Sequence, residues 1–337
     1  MSWQGIRKKE EIKTCAKLVK PIIMVEAIQY MARSIQIPLR RRIQGCNVWL
    51  EGQDVEQQFT EPLKPFDHFV LESEEAVGRA MLDELISYAQ EKAGDIVIVL
   101  LGGRGAQAMY KLIAQLAVTG VLDELLGRLH VFTQDALAPM RMDNALSFVR
   151  DFERLLTNEF FSRIKSFTAM QTDTADMEGE LTRYIEKLEG LGGIDIFFLG
   201  LGPEAAGASH LCYIKPGSGA GYKDMAGIIP VSGSILEHHI NKFKVGGSSI
   251  SPEDEAECRN SKHILTLGPA AILSAKRIVQ SIVDASTAPG KRESFARLVA
   301  AELSSGQAER ARELDDNPGL WIRLHPDVRS YVLPDLF

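Results

Sequence analysis

The sequence has few cysteines, and their placement excludes two chemistries at once. Cys15, Cys46, Cys212 and Cys258 are scattered over 337 residues with no Cys-x-x-Cys pair, so neither a zinc ribbon nor a disulfide scaffold is indicated. No apolar run approaches the roughly 20 residues that cross a bilayer. The opening Met1-Ser-Trp-Gln-Gly-Ile-Arg-Lys-Lys-Glu-Glu alternates charge where a secretory leader needs an unbroken apolar stretch. No internal repeat is visible. What remains is ordinary: 45% hydrophobic and 25% charged residues, as in globular domains. A soluble cytoplasmic protein is expected, with no membrane partner.

The net charge of −7 is unevenly spread. Residues 1–66 carry eleven Lys/Arg against seven Asp/Glu, whereas the rest of the chain is strongly acidic. A basic front can meet nucleic acid or an acidic surface. Its densest cluster, Arg40-Arg41-Arg42, lacks the Gly and aromatic interleaving of RNA-binding segments, so a solvated face or subunit contact is expected and nucleic acid is not.

Spacing divides the chain. Leu18, Ile22, Ile23, Val25, Ile28 and Met31 lie at mostly helical intervals, and Gln44 to Asp67 with Pro62 and Pro65 reads as a linker. Residues 1–66 are therefore expected as a basic, partly helical extension. From Phe69 strand and helix alternate. Ser73-Glu-Glu-Ala opens a helix as N-cap and acidic first turn. Asp95-Ile-Val-Ile-Val-Leu-Leu has the unbroken apolarity of a strand buried on both faces. Further strands are expected at Leu129–Thr133, Ile194–Gly200, His263–Gly268, Ala275–Val283 and Tyr331–Leu333. Helices are expected at 107–116, 144–161, 177–188, 291–301 and 307–314. This rhythm predicts an α/β fold over residues 67–337: a three-layer, Rossmann-like domain with a mostly parallel sheet.

Ligands of open parallel sheets sit beyond the carboxyl ends of the strands, and four such ends carry unusual residues. Leu101-Gly102-Gly103-Arg104-Gly105 lies between a strand and a helix, where backbone N–H groups can meet an anion or simply make a tight turn. Asp135 follows a buried strand, as a general base or as a loop cap. The stretch from Leu199 to Ser218 gathers Glu204, His210 and Lys215 on one loop, for proton exchange or as plain surface. Gly290-Lys291 opens a helix like a phosphate loop, but Ala285 stands where the first Walker Gly belongs, so a nucleoside triphosphatase is not indicated.

Taken in order, these stretches resemble the glucosamine-6-phosphate deaminase family, which is related to 6-phosphogluconolactonases and, in fold, to ribose-5-phosphate isomerases. The resemblance runs from about Phe69 to Leu333. Gly102-Gly103-Arg104-Gly105 is similar to the family's Gly-Gly-Thr phosphate loop. Gly192-Gly-Ile-Asp-Ile-Phe-Phe-Leu-Gly-Leu-Gly-Pro203 is similar to its strand and Gly-x-Gly turn. His210-Leu-Cys-Tyr-Ile-Lys-Pro-Gly-Ser218 is similar to its His-Ile-Ala-Phe-Asn-Glu-Pro-Gly-Ser. Thr266-Leu-Gly, Gly290-Lys291 and Leu324-His-Pro326 also match family positions.

The resemblance implies acid–base chemistry on a hexose 6-phosphate with no metal and no organic cofactor, in a protein that assembles as a homo-oligomer. Asp135 matches the base that moves a proton between C1 and C2, and His210 the group that opens the ring. Gly102, Gly103, Arg104, Gly105 and Lys291 match the phosphate site, with Lys215 and Ser218 on the matching His loop. A further basic contact falls on His239 or Lys242. Departures occur at the family's carboxylates: Asp135-Ala136 replaces Asp-Glu, Ala208 stands two residues before His210 unless Glu204 folds back, and Lys215 replaces a Glu. An ammonium there would lower the pKa of a nearby His. Three readings follow: a sugar-phosphate isomerase or deaminase, a lactone hydrolase of the 6-phosphogluconolactonase type, and a non-catalytic sugar-phosphate-binding regulatory or structural protein.

Overall fold

A computed structural model describes residues 38–56 and 64–337. The helical stretch expected over Leu18–Ile37 lies outside the described residues. The chain divides after Pro38, and residues 39–337 form one compact unit.

That unit is α/β. Seven strands form a wholly parallel sheet: β3 (His68–Val70), β4 (Ile96–Leu100), β5 (Leu129–Thr133), β7 (Ser166–Thr168), β8 (Ile196–Leu199), β13 (Arg277–Ile282) and β14 (Val328–Val332). Their spatial order is β3-β14-β13-β8-β4-β5-β7. All residues of β4 and β8 are buried, which is why these two read as unbroken Ile, Val, Leu and Phe. The edge strands β3 and β7 have three residues each and are partly exposed.

Helices cover the sheet. In α1 (Glu74–Glu91) the Ser73 hydroxyl accepts the Ala76 N–H at 3.1 Å, and Val77, Met81, Leu82 and Leu85 are buried at helical spacing. Helix α2 (Gln107–Thr119) ends on Gly120 at φ 74°. Helix α3 (Phe148–Phe161) starts four residues later than the spacing predicts. Asn144 Oδ1 accepts the Leu146 N–H at 2.8 Å and Ser147 caps the helix, so the chain turns before it coils.

Of a second sheet only the strand at His263–Gly268 was expected, and there as part of the mostly parallel sheet. This second sheet is antiparallel, with order β1-β2-β11-β12-β6: β1 (Arg40–Gln44), β2 (Asn47–Glu51), β6 (Asp135–Ala138), β11 (Asp224–Pro230) and β12 (His263–Leu267). This corrects the boundary drawn after residue 66. Residues 40–51 are a β-hairpin built into the main body and not part of a helical extension or linker. Gly45, at φ 61°, makes the turn, and Trp49 is fully buried against Gly227.

The strand order creates a topological switch point. From β4 the chain proceeds to β5 and β7 on one side, then returns to place β8, β13 and β14 on the other. The loops after β4 and β8 therefore diverge over a common crevice, the place where open α/β sheets bind ligands. Asp135 begins β6 one residue after Gln134, itself next to the end of β5, so it stands where the chain leaves one sheet and enters the other.

Candidate functional site

The crevice is a narrow, solvent-open cleft with a cavity volume of about 60 Å³. Gly102, Arg104 and Gly105 line it from the loop after β4, Asp135 from the sheet junction, His210 from the loop after β8, and Lys291 from the start of α6 (Gly290–Ala300). Between these elements run helices α4 (Met177–Gly190) and α5 (Gly233–Val245).

The loop after β4 is held from beneath. Tyr110 Oη donates to Leu101 O at 2.7 Å, and Ser281 Oγ to Gly105 O at 2.8 Å. The chain then enters α2, whose N-terminal dipole favours negative charge, and the Gly103 N–H is given to the Asp151 carboxylate. Gly103 sits at φ 85°, in the left-handed region that favours glycine, and the stem of Lys242 crosses it at the distance a Cβ would touch. Arg104 is paired with Glu74 in the first turn of α1. Across the cleft Lys291 Nζ lies 2.6 Å from Asp284 Oδ1. Burial alone pushes Asp284 up, but the Lys291 charge and hydrogen bond hold it below the usual carboxylate range.

Glu204 does fold back. Its Oε1 lies 2.9 Å from His210 Nδ1, supplying the carboxylate that Ala208 lacks. Nothing but glycine fits beneath this imidazole: a Cβ on Gly202 would stand 1.7 Å from His210 Nε2. His210 ends β10 (Ser209–His210), which pairs with β9 (Gly202–Pro203) and is fixed from behind, where Asn317 Oδ1 accepts both the Ser209 N–H and hydroxyl at 2.8 and 2.6 Å. Burial lowers the His210 pKa, and Glu204 opposes the shift. His238, 6.1 Å from it between ring centroids, is brought down to about 3, by burial first and then by Lys242.

Asp135 is buried, and its Oδ1 has no partner among the described residues. Burial raises it to about 7, with Lys242 pulling the other way. A carboxyl poised near neutrality, unpartnered and facing a cleft, is suited to proton transfer.

Two residues of the His loop fall elsewhere. Lys215 does not line the cleft; its Nζ donates to Pro230 O at 2.7 Å. It therefore does not act on His210, whose depressed pKa comes from burial and, more weakly, from Lys242 and Lys291. Ser218 is buried away from the cleft lining, and its carbonyl accepts Asn47 Nδ2 at 2.8 Å and Trp49 Nε1 at 3.2 Å. The β1–β2 hairpin thus clamps the Pro-Gly-Ser turn.

Tyr213, Gln134, His238 and Asp284 line the cleft and went unremarked in the sequence. Of the two candidates for a further basic contact, Lys242 lines it, while His239 lies behind Tyr213. The signal was on α5, where His238 and Lys242 stand four apart on one helix face. Cys212 and Tyr213 have φ values of 49° and 59°, between Leu211 and Ile214, which exchange hydrogen bonds. Two non-glycine residues in this conformation store strain. Among the described residues no group of three His, Cys, Asp or Glu side chains is placed to hold a metal ion, and no helix is long and apolar enough to cross a membrane.

No protein-family model matches the sequence. A glucosamine-6-phosphate deaminase from Bacteroides fragilis is 24% identical over 186 residues, covering 52% of this chain and 59% of the relative. The match thus spans somewhat over half of the relative's length. Among solved structures, a monomeric glucosamine-6-phosphate deaminase of the NagB superfamily aligns over 80% of this chain and 98% of its own, with 21% identity and a TM-score of 0.62. The 6-phosphogluconolactonase of Trypanosoma brucei aligns over 81% and 98%, with 18% identity and a TM-score of 0.55. The chain is therefore related in sequence to glucosamine-6-phosphate deaminases and shares the α/β fold of those enzymes and of the 6-phosphogluconolactonases.

Proposed function

We propose that the cleft binds the open-chain form of a hexose or amino-sugar 6-phosphate and moves a proton between adjacent carbons, without metal or organic cofactor. The loop Gly102–Gly105 and Lys291 receive the phosphate. Asp135 carries the proton at C1 and C2. The His210–Glu204 pair opens the sugar ring, with Glu204 stabilising the imidazolium that forms as His210 takes up the proton.

The observation that carries this reading is the contact at 2.9 Å between Glu204 and His210, the imidazole that lines the same cleft as Asp135. It restores the carboxylate–imidazole pair that the spacing of the sequence had broken. Asp135 and His210 stand on different elements, so their convergence follows from the fold and not from local chain geometry.

The test is a screen of amino-sugar and keto-sugar 6-phosphates in D₂O, following ammonia release and deuterium entry at C2 by NMR. Turnover with deuterium incorporation is the expected result. Calorimetric binding with no turnover of any member would replace it with the non-catalytic binding reading. The same His–carboxylate pair can activate water, so hydrolysis of 6-phosphogluconolactone alone would move the assignment to a lactonase.

A further inference from the structure

Lys242 has no part in the reaction just described, yet it is placed as a reactant. Its Nζ lies 4.7 Å from the ring centroids of both Phe148 and Tyr213 and, among the described residues, gives one hydrogen bond, to the Tyr213 hydroxyl at 2.5 Å. That hydroxyl meets His239 Nδ1 at 2.8 Å, and His239 Nε2 reaches Leu146 O at 2.7 Å. The donors run in one direction, from ammonium to phenol to neutral imidazole to carbonyl. Among the described residues no carboxylate forms an ion pair with Lys242. Lys291, by contrast, is locked to Asp284. Asp135, with its unpartnered oxygen, lines the same cleft as Lys242.

We propose that Lys242 is a nucleophile whose amine forms an imine with the carbonyl carbon of an aldehyde or ketone, the open-chain sugar phosphate being the intended class. The inference rests on the sugar-phosphate reading for its substrate, but the amine chemistry can be examined without it. In the step itself, Lys242 Nζ adds to the carbonyl carbon, and the oxygen takes one proton from that nitrogen to give a carbinolamine. A second proton from the acid form of Asp135 lets the oxygen leave as water. The products are a protonated imine, a water and the Asp135 carboxylate. The imine withdraws electrons from the neighbouring carbon, and the carboxylate so generated is placed to take its proton.

The electrostatics agree. Burial brings Lys242 down to about 8 against the pull of Asp135, and Lys291 adds to the lowering. A large fraction is then amine at mildly alkaline pH, as for other desolvated lysines flanked by a second cation.

The experiment treats the full chain at pH 8 with cyanoborohydride and either a ketohexose 6-phosphate or glycolaldehyde, followed by intact mass and peptide mapping. A single adduct on Lys242 is expected, absent from Lys242→Arg and Lys242→Met. Melting curves verify that the variants fold, and in the unmodified chain labelling rises to half its maximum near pH 8. Retained calorimetric binding of the sugar phosphate without any Lys242 adduct overturns the inference and leaves the sugar-phosphate reading intact. Labelling of Lys242 by glycolaldehyde, with neither labelling by the sugar phosphate nor calorimetric binding of it, upholds the amine and overturns that reading. Adducts spread over surface lysines, unchanged in Lys242→Arg, overturn the inference.

Discussion

Glu204 Oε1 lies 2.9 Å from His210 Nδ1, six residues away along a loop that passes through left-handed Ala206 at φ 56°. The contact fixes which imidazole nitrogen faces the cleft and partly offsets the cost of charging a buried ring. In Glu204→Gln the opposing charge is gone, so the His210 pKa falls further, a shift readable in an NMR titration of the ring proton. Turnover of a ring-closed substrate falls by about 10²-fold, in the range of general acid–base contributions. A substrate that cannot close its ring loses little.

Asp135 makes a prediction on pH. Its value of about 7 sets the acid limb of the rate profile, with turnover rising as the carboxylate forms. Asp135→Asn loses about 10²- to 10⁴-fold in proton transfer while calorimetric binding of the sugar phosphate persists. The same shift governs stability. The folded value is raised, so the native state holds a proton between about 4 and 7 that the unfolded chain has released. Stability therefore falls as pH rises through that window, and the Asn variant, measured by thermal melting at pH 5 and pH 8, lacks this slope.

Much of this arrangement was visible in the sequence because it depends on local signals. The strands β4 and β8 were visible as unbroken apolar runs, α1 through its Ser73 cap, and the turn after β4 through its glycines. The second sheet was not, beyond the strand at His263–Gly268, because apart from the β1–β2 hairpin its pairings join strands far apart along the chain: β6 pairs with β12, and β2 with β11. Arg40-Arg41-Arg42 read as a solvated charge cluster, yet Arg42 turns inward to Asp224 and Gly219 O. Lys215 and Glu204 show the limit of spacing arguments. Counting residues from His210 puts Lys215 in the site, whereas its side chain turns to Pro230 O, and it brings Glu204 to the imidazole only if the loop folds back, as it does.

The Arg42–Asp224 pair carries a stability prediction. Asp224 is buried, which raises it to about 6 even though Arg42 pulls it down. Arg42→Met leaves that carboxylate without its cation and costs about 3–5 kcal/mol at pH 8, the range for breaking a buried pair. Without Arg42 the Asp224 value rises further. The loss is thus largest at alkaline pH and shrinks as the carboxyl is protonated, which urea unfolding at pH 8 and pH 5 measures.

Tyr213 ties strain to electrostatics. Its hydroxyl joins Lys242 Nζ to His239 Nδ1 while its own backbone sits at φ 59°. Tyr213→Phe keeps the ring beneath the ammonium but leaves one buried acceptor and one donor without a partner, at about 1–3 kcal/mol. The two costs separate by experiment. Urea unfolding reports the stability loss, whereas the pH dependence of amine labelling reports Lys242. With its hydrogen-bond acceptor gone the ammonium is less favoured, so the labelling midpoint moves below 8. An unchanged midpoint with lowered stability would show that the hydroxyl only braces the turn and does not tune the amine.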